Sequence, residues 1–571
     1  MLALLTALAL PACLQEGQGS QLVLPGQEPL APALREELQR FDPRSDGWST
    51  EVFASELGAR WKALVGGVLE GNLAGLDPWL GEVRLGLEPE LLEQGQGTWE
   101  WQRLRAGASP LAAPSVAVGL GGLLAGLGPD AGFKIKVVAL APEGEELRAT
   151  VRVEVRGAGR AQQVVLEVEA VHPAALEAGA GLSAPTEVTL LSWSRVARLQ
   201  REQGFEEVEL ATWLDPASAA LLRPSTATLR RDLDTRLGVG LLGHHGVSAA
   251  DLDLDGRVEV FVPGPGGVPN LLLVPDGQGR LVDRAPRLGL DLLDSTACGL
   301  FVDLDGDGLQ EAILAVGSRV LVMTGRPFTL AQELPCDAVT SLAAGDADGD
   351  GDLDLFVCGY VSPYNGSGAP MPYHDAQNGA ANHLLRNEGG LRFRDVTAEV
   401  GLDADNARFT FAATWLDADA DGDQDLYVVN DFGSNQLWIS EGGRFVERAE
   451  ALGVRDVAAG MGASLGDVNE DGLEDLFVSN MFSSAGGRIT TQPGFLGGEG
   501  GVLRQAMARH ARGNSLFLRR SEGGFRELAG AGGAAMGRWA WGGRLVDLDL
   551  DGVLDITCPA GFVTGERLDD L

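Results

Sequence analysis

The chain has 571 residues, 45% of them hydrophobic, with 81 acidic against 44 basic side chains and a formal charge of −37. That balance excludes a nucleic-acid binder, which needs a basic face to neutralise phosphates, and it excludes electrostatic docking on anionic lipid. The apolar content is too high for a disordered acidic chain, so the surplus acid sits at particular places in a folded protein.

At the start of the chain, residues 2–10 form a short apolar run followed by Pro11, Ala12 and Cys13. Such a run cannot span a bilayer as a helix but suits the core of an export signal. Residues 1–20 are expected to be a signal peptide or lipoprotein signal, with Cys13 the candidate point of lipid attachment. An exported protein, secreted, periplasmic or at the cell surface, is the expectation. No later segment is long and apolar enough to predict a transmembrane span.

Residues 21–235 contain no repeat. Apolar and charged residues at three- and four-residue spacing predict helices over 33–40, 50–69 and 89–94. Valine-rich alternation then predicts strands over 133–140, 147–156, 163–172 and 187–191. Helices followed by antiparallel strands indicate a smaller α+β domain, whose role the residues do not assign.

From residue 236 to 571 the grammar changes. Six segments match Asp-x-Asp/Asn-x-Asp-Gly-x-x-Asp/Glu, starting at Asp251, Asp303, Asp346, Asp417, Asp467 and Asp547, so that the starts lie 52, 43, 71, 50 and 80 residues apart. A recurrence at that period signals a propeller or a solenoid. Each segment lies between two β-rich runs, and second hairpins with paired glycines follow over 382–393, 435–445 and 514–525. Two hairpins make a four-stranded sheet, the unit of a propeller blade. The expected fold is mainly β: a β-propeller preceded by the smaller α+β domain.

The nonapeptides are candidate metal sites. Position 1 is the aspartate that starts each segment. Position 3 supplies Asp253, Asp305, Asp348, Asp419, Asn469 and Asp549, and position 5 supplies Asp255, Asp307, Asp350, Asp421, Asp471 and Asp551. Glycine at position 6 allows the sharp turn that points a backbone carbonyl inward at position 7, where Arg257, Leu309, Asp352, Asp423, Leu473 and Val553 stand. Glu259, Glu311, Asp354, Asp425, Asp475 and Asp555 close the shell at position 9. Hard oxygen ligands in that number suit Ca²⁺, whereas Mg²⁺ keeps more water and zinc wants His or Cys. Up to six calcium ions are expected.

An EF-hand shares the first half of this spacing but requires a glutamate at position 12 and flanking helices. Position 12 is Val262, Leu314, Val357, Val428, Val478 and Cys558, and the flanks are strands, so an EF-hand is excluded. A single match is readily a solvated turn. Six matches, all between strands, are not.

These residues resemble the FG-GAP/VCBS repeats of integrin-α-like β-propellers, and most of all the bacterial proteins of the cartilage acidic protein type. Asn435-Gln-Leu-Trp, Arg512-Gly-Asn-Ser-Leu-Phe and Gly537-Arg-Trp-Ala-Trp-Gly carry the likeness outside the loops, and no ASPIC/UnbV segment is recognisable. The resemblance implies a secreted or cell-surface propeller of seven blades with calcium on the blade hairpins. Only six loops are visible, so six blades is the alternative.

Beyond Cys13, the chain carries Cys298, Cys336, Cys358 and Cys558 without a CxxC pair, which excludes a thiolate zinc site. They are either joined in one of three disulfide pairings or buried as small hydrophobes. No HExxH, GxSxG or P-loop pattern occurs, and His244-His245 reads as structural or exposed. Two insertions stand out: 359–381, with Tyr360, Tyr364, Tyr373 and His374, and 483–513, with Arg488, Arg504, Arg509, His510 and Arg512. Propeller insertions project from one face, where ligands dock. The leading expectation is a non-enzymatic module that binds a protein or glycan. The alternative is a lyase or dehydratase acting on sugars, with Tyr364, Tyr373 and His374 as acid/base candidates.

Overall fold

In the computed structural model the chain is described in segments between residues 49 and 222, and then over 246–360, 375–490, 501–528 and 534–560 apart from 549 and 551. The export signal, Cys13, the expected helix at 33–40, His244, His245, Tyr364, Tyr373 and His374 lie outside the described residues.

The first element is helix α1, Ser49–Leu69. Leu57, Trp61, Leu64 and Val65 recur on one of its faces and are buried. They pack on an antiparallel sheet that runs, edge to edge, through Pro89–Gln96, Trp99–Ala106, Glu187–Arg198, Gln162–Pro173, Glu146–Arg156 and Gly132–Glu143. Val151, Val153, Val155, Val164, Leu166 and Val168 meet the helix from one face of the sheet, as the two-residue period of a half-buried strand requires. The opposite face carries Arg148, Arg152, Glu154, Glu167 and Glu169 in ion pairs.

The expected helix over 89–94 is a correction: Pro89–Gln96 is a strand. Its register against Trp99–Ala106 slips between Leu91 and Glu93, leaving Leu92 as an extra residue. A bulge of that kind admits two adjacent leucines into a strand, which breaks the alternation and mimics helical spacing.

Beyond residue 246 five four-stranded antiparallel meanders follow one another and a two-stranded sheet succeeds them; within the fourth, the short strand Gly433–Ser434 intervenes and pairs with Val457–Ala458. Sheet I comprises Ser248–Ala250, Glu259–Val262, Leu271–Pro275 and Leu281–Asp283. Sheet II comprises Thr296–Val302, Glu311–Val316, Arg319–Thr324 and Thr329–Pro335. Sheet III comprises Val339–Gly345, Asp354–Gly359, His383–Asn387 and Phe393–Asp395. Sheet IV comprises Thr410–Leu416, Asp425–Asn430, Gln436–Ser440 and Phe445–Glu447. Sheet V comprises Gly460–Gly466, Asp475–Asn480, Ser515–Arg519 and Phe525–Glu527. Sheet VI comprises Arg544–Val546 and Asp555–Thr557.

The sheets pack face to face. In sheets II to V the second strands are buried on both sides and send alternate residues to opposite neighbours. In sheet II, Ala312, Leu314 and Val316 face the core shared with sheet I, while Ile313 and Ala315 face that shared with sheet III. Phe356, Leu384, Val428 and Trp438 fill the space between sheets III and IV, and Tyr427, Leu437, Leu476 and Phe517 that between IV and V. Each such side chain contributes about 1.5–3 kcal/mol by leaving water. The first strands of successive sheets touch one another from sheet I to sheet VI.

A register shift recurs in those first strands, leaving Ala297, Thr340, Phe411 and Met461 as extra residues in sheets II to V. Each stands six residues ahead of an acidic loop. Thr340 uses its place to donate a 2.8 Å hydrogen bond to the carbonyl of Thr410 in the next first strand. Phe411 and Met461 gather with Tyr360, Met481 and Trp541 in an apolar cluster at this end of the sheets.

Candidate metal centres

Every acidic nonapeptide joins the first strand of a sheet to its second. Because first strands lie side by side, the loops share one rim of the assembly.

The loops fold by one hydrogen-bond scheme. The position 1 carboxylate gathers backbone N–H groups from the turn: Asp303 accepts from Gly306 at 2.8 Å and Gly308 at 2.9 Å, and Asp346 from Gly349 at 2.8 Å and Gly351 at 3.0 Å. Asp251, Asp417, Asp467 and Asp547 likewise accept from the glycine at position 6. Position 5 accepts the N–H of position 7 in the first five loops. The glycine at position 6 has φ between 82° and 94° throughout, a region closed to most side chains. Position 4 is left-handed as well, which the spacing did not announce. Two loops place glycine there, whereas Leu254, Ala420, Glu470 and Leu550 adopt φ of 58–68° without it.

Position 9 does more than face the loop. One oxygen accepts the N–H of position 2 in all six loops, from Leu252, Leu304, Ala347, Ala418, Val468 and Leu548. In sheets III, IV and V the other oxygen accepts the N–H of Asn387, Ser440 or Arg519 on the third strand, at 2.8, 2.8 and 2.9 Å. In sheet II the hydroxyl of Thr324 plays that part for Glu311. The acid thus ties loop, second strand and third strand together.

Three carboxylates come within 4.8 Å of one another in four loops: Asp251, Asp253 and Asp255; Asp303, Asp305 and Glu311; Asp346, Asp348 and Asp354; Asp417, Asp419 and Asp425. Glu259 stays outside the first group and Asp307, Asp350 and Asp421 outside the others. In the fifth loop Asp467 and Asn469 both accept the N–H of Asp471, at 3.1 and 3.0 Å. Asp549 and Asp551 of the sixth loop lie outside the described residues.

Crowding is visible in the acidities. Burial, and after it the neighbouring aspartates, pushes Asp354 and Asp425 up to about 6 against the pull of their backbone hydrogen bonds. Glu259, Glu311, Asp348, Asp419 and Asp475 are also raised, with burial the first cause. Carboxylates raised by burial and by one another suit a divalent cation, and an all-oxygen donor set suits calcium. The first loop differs, because the Arg257 guanidinium already pairs with Asp255.

A second fingerprint lies at the other end of the sheets. Asn270, Asn382, Asn435 and Asn514 each precede a third strand, are buried, and accept through Oδ1 the N–H of Gly264, Gly359, Asn430 or Asn480 at 2.7–2.9 Å. Three of them open the second hairpins expected from the sequence; Asn270, in Pro269-Asn-Leu-Leu-Leu, follows the same pattern in sheet I.

Cys298, Cys336, Cys358 and Cys558 are free thiols, and burial raises all four pKa values, so the disulfide alternative gives way to that of small buried hydrophobes. The arginines of the second insertion serve the fold. Arg509 meets the buried Asp456 at 2.7 Å and Glu527 at 2.9 Å, Arg512 pairs with Glu527, and Arg504 donates to the Thr490 carbonyl at 3.0 Å. His510 stacks on Phe432 with centroids 6.3 Å apart. No described helix is long and apolar enough to cross a membrane.

Comparison with known proteins agrees with the loops. Residues 417–478, which hold two of them, match the FG-GAP-like repeat family. Cartilage acidic protein 1 of Homo sapiens is 31% identical over 268 residues, covering 42% of this chain and 39% of that protein. Its Xenopus tropicalis counterpart is 29% identical over 267 residues, covering 42% of this chain and 40% of that one. The chain thus spans about 40% of the length of these curated relatives. Among solved structures, the V. cholerae biofilm matrix protein Bap1 aligns over 49% of this chain and 38% of that one at 12% identity, but with a TM-score of 0.28 it carries no argument. The chain carries an FG-GAP-like repeat and is homologous, at moderate identity and over part of its length, to cartilage acidic protein 1.

Proposed function

We propose that the chain is an exported, calcium-binding β-propeller that acts as a non-enzymatic module for a protein or glycan partner outside the cell, preceded by an α+β domain over residues 21–235. The observation that carries the calcium reading is the convergence of three carboxylates within 4.8 Å in each of four loops that share one rim. Successive sheets with touching first strands support a radial arrangement of six or seven blades. The similarity to proteins named for cartilage, an extracellular tissue, supports an exported binding role. In this reading calcium is structural, since positions 1, 3 and 9 also organise the turn that joins two strands.

Isothermal titration of the EGTA-treated protein with CaCl₂ tests the reading. Several sites with dissociation constants of about 10⁻⁴–10⁻³ M are expected, together with a higher melting temperature in calcium than in EGTA. Absence of calcium heat with an unchanged melt refutes it. Incubation with a panel of acidic polysaccharides, read for retention and for new unsaturated ends, separates binding from lyase action.

A further inference from the structure

One edge of the N-terminal sheet's charged face, at Lys136 and Glu154, meets residues from the later part of the chain. Helix α2, Ser484–Thr490, packs against strand Gly132–Glu143 and against α1. Arg488 donates to the Val137 carbonyl at 2.6 Å, and a Cβ on Gly487 would stand 3.2 Å from the Val138 carbonyl, so the two backbones meet closely. From the segment before sheet VI, Arg538 reaches Glu154 at 3.2 Å.

Positive charge gathers in this seam. The whole sequence contains three lysines, and Lys134 and Lys136 stand on neighbouring outward positions of the one strand that lines it. Arg152, on the adjacent strand, lies opposite Lys136. Glu154 gives one oxygen to Arg152 and the other to Arg538, and Glu167 is held by Arg152 at 2.9 Å. The Lys136 ammonium lies over the Phe482 ring, 5.7 Å from the centroid, and the acid that attracts it, Glu154, is the one that Arg152 and Arg538 already share. Burial first, then Lys134 and Arg538, brings its pKa down to about 8 against the pull of Glu154. A half-buried ammonium among like charges is costly unless an anion joins it.

We propose that this seam is an oxyanion-binding site, in which Lys136 and Arg538, backed by Lys134 and Arg152, hold a sulfate or carboxylate group of the kind an acidic sugar carries. The site takes cations from both sides, so its ligand bridges the N-terminal sheet and the acidic-loop sheets. The assignment does not rest on calcium binding.

The test titrates the full chain, in calcium, with sodium sulfate and separately with sodium glucuronate, against sodium chloride at matched ionic strength. Calorimetry is the readout, because sulfate stabilises proteins generally by exclusion from their surface. Saturable binding is expected, weakened about tenfold or more by Lys136→Met and retained by Lys136→Arg, since a charge-assisted hydrogen bond is lost in the first and kept in the second. An unchanged calcium-dependent melt in Lys136→Met shows that the variant is folded and keeps the two readings apart. Binding of both probes identifies an acidic-sugar site; binding of sulfate alone still supports the anion site and removes the sugar. No saturable binding, or equal binding in Lys136→Met, overturns the proposal.

Discussion

At position 4 of the fourth loop, Ala420 holds φ 68° on an exposed turn, two residues before Gly422 at φ 94°. A side chain in that region costs about 1–2 kcal/mol, while glycine loses about 0.5–1 kcal/mol more in chain entropy. Ala420→Gly is therefore expected to stabilise the protein by about 0.5–1 kcal/mol. Gly422→Ala is expected to destabilise it by about 0.5–1 kcal/mol, the same strain less the same entropy, through backbone conformation alone, since nothing lies within 4 Å of the added Cβ. Denaturant unfolding of both variants in calcium checks the pair. A different residue governs pH dependence. Asp431 is buried, and desolvation raises its pKa to about 7 although the Tyr360 hydroxyl donates to it at 2.7 Å. Its folded-state value exceeds the unfolded 3.8, so the native state holds the proton more tightly, and this contribution to stability is lost as pH rises toward and through 7. Each pH unit between the two values costs about 1.4 kcal/mol. Asp431→Asn keeps the acceptor for Tyr360 and removes the charge. Melting temperatures from pH 5 to 8 should show the variant gaining on the wild type as pH rises, and parallel curves would refute the assignment.

Within a sheet, the position 9 acid and the third-strand asparagine clamp opposite ends of the same pair of strands. Their deletion should behave unlike deletion of a ligand whose bonds stay within the loop. Asp425→Ala removes the acceptor of both Ala418 and Ser440, at a cost of about 2–5 kcal/mol already in EGTA and more in calcium, which loses a ligand as well. Asn514→Ala strips the acceptor from the buried Asn480 N–H and should cost about 1–3 kcal/mol. Asp419→Ala, at position 3, is expected to lose stability in calcium yet little in EGTA, where it also relieves crowding. Equal losses for Asp419→Ala and Asp425→Ala in EGTA would contradict this division of roles. The acidic loops were legible because the same nine residues recur six times between strands, and Thr50–Leu69 was legible because α1 keeps a helical stripe. The strand Pro89–Gln96 was not, since the bulge at Leu92 hides its alternation. Nor were the extra residues at Ala297, Thr340, Phe411 and Met461, which follow from how neighbouring first strands fit and share no residue type. The arginines of 483–513 pointed to a ligand in the sequence; Arg509 spends its charge on Asp456 and Glu527, which only the fold brings near.

For the whole molecule, composition and architecture state one fact twice. Of the 24 side chains at positions 1, 3, 5 and 9, 23 are acidic, and they supply most of the excess of 37 negative charges. Successive sheets stack face to face, so these acids line one rim, where the charge of each loop adds to its neighbour's. Apolar packing between sheets holds the stack together; in the calcium reading, rim repulsion opposes it until the cations bind. With affinities of about 10⁻⁴–10⁻³ M, millimolar calcium contributes about 0.4–1.4 kcal/mol per site by linkage. Four filled loops then add about 2–6 kcal/mol, a large part of a typical domain's stability. The melting temperature should fall by about 3–10 °C when EGTA replaces calcium. Repulsion among exposed carboxylates is screened over about 10 Å at 0.1 M salt and about 3 Å at 1 M. The calcium-free protein should accordingly regain part of the loss in high NaCl, while the calcium-loaded protein barely responds. Differential scanning calorimetry in calcium and in EGTA, at low and high salt, checks both terms. If the calcium-free melt ignores salt, rim repulsion is not what calcium relieves, and its stabilising effect lies in ordering the individual turns.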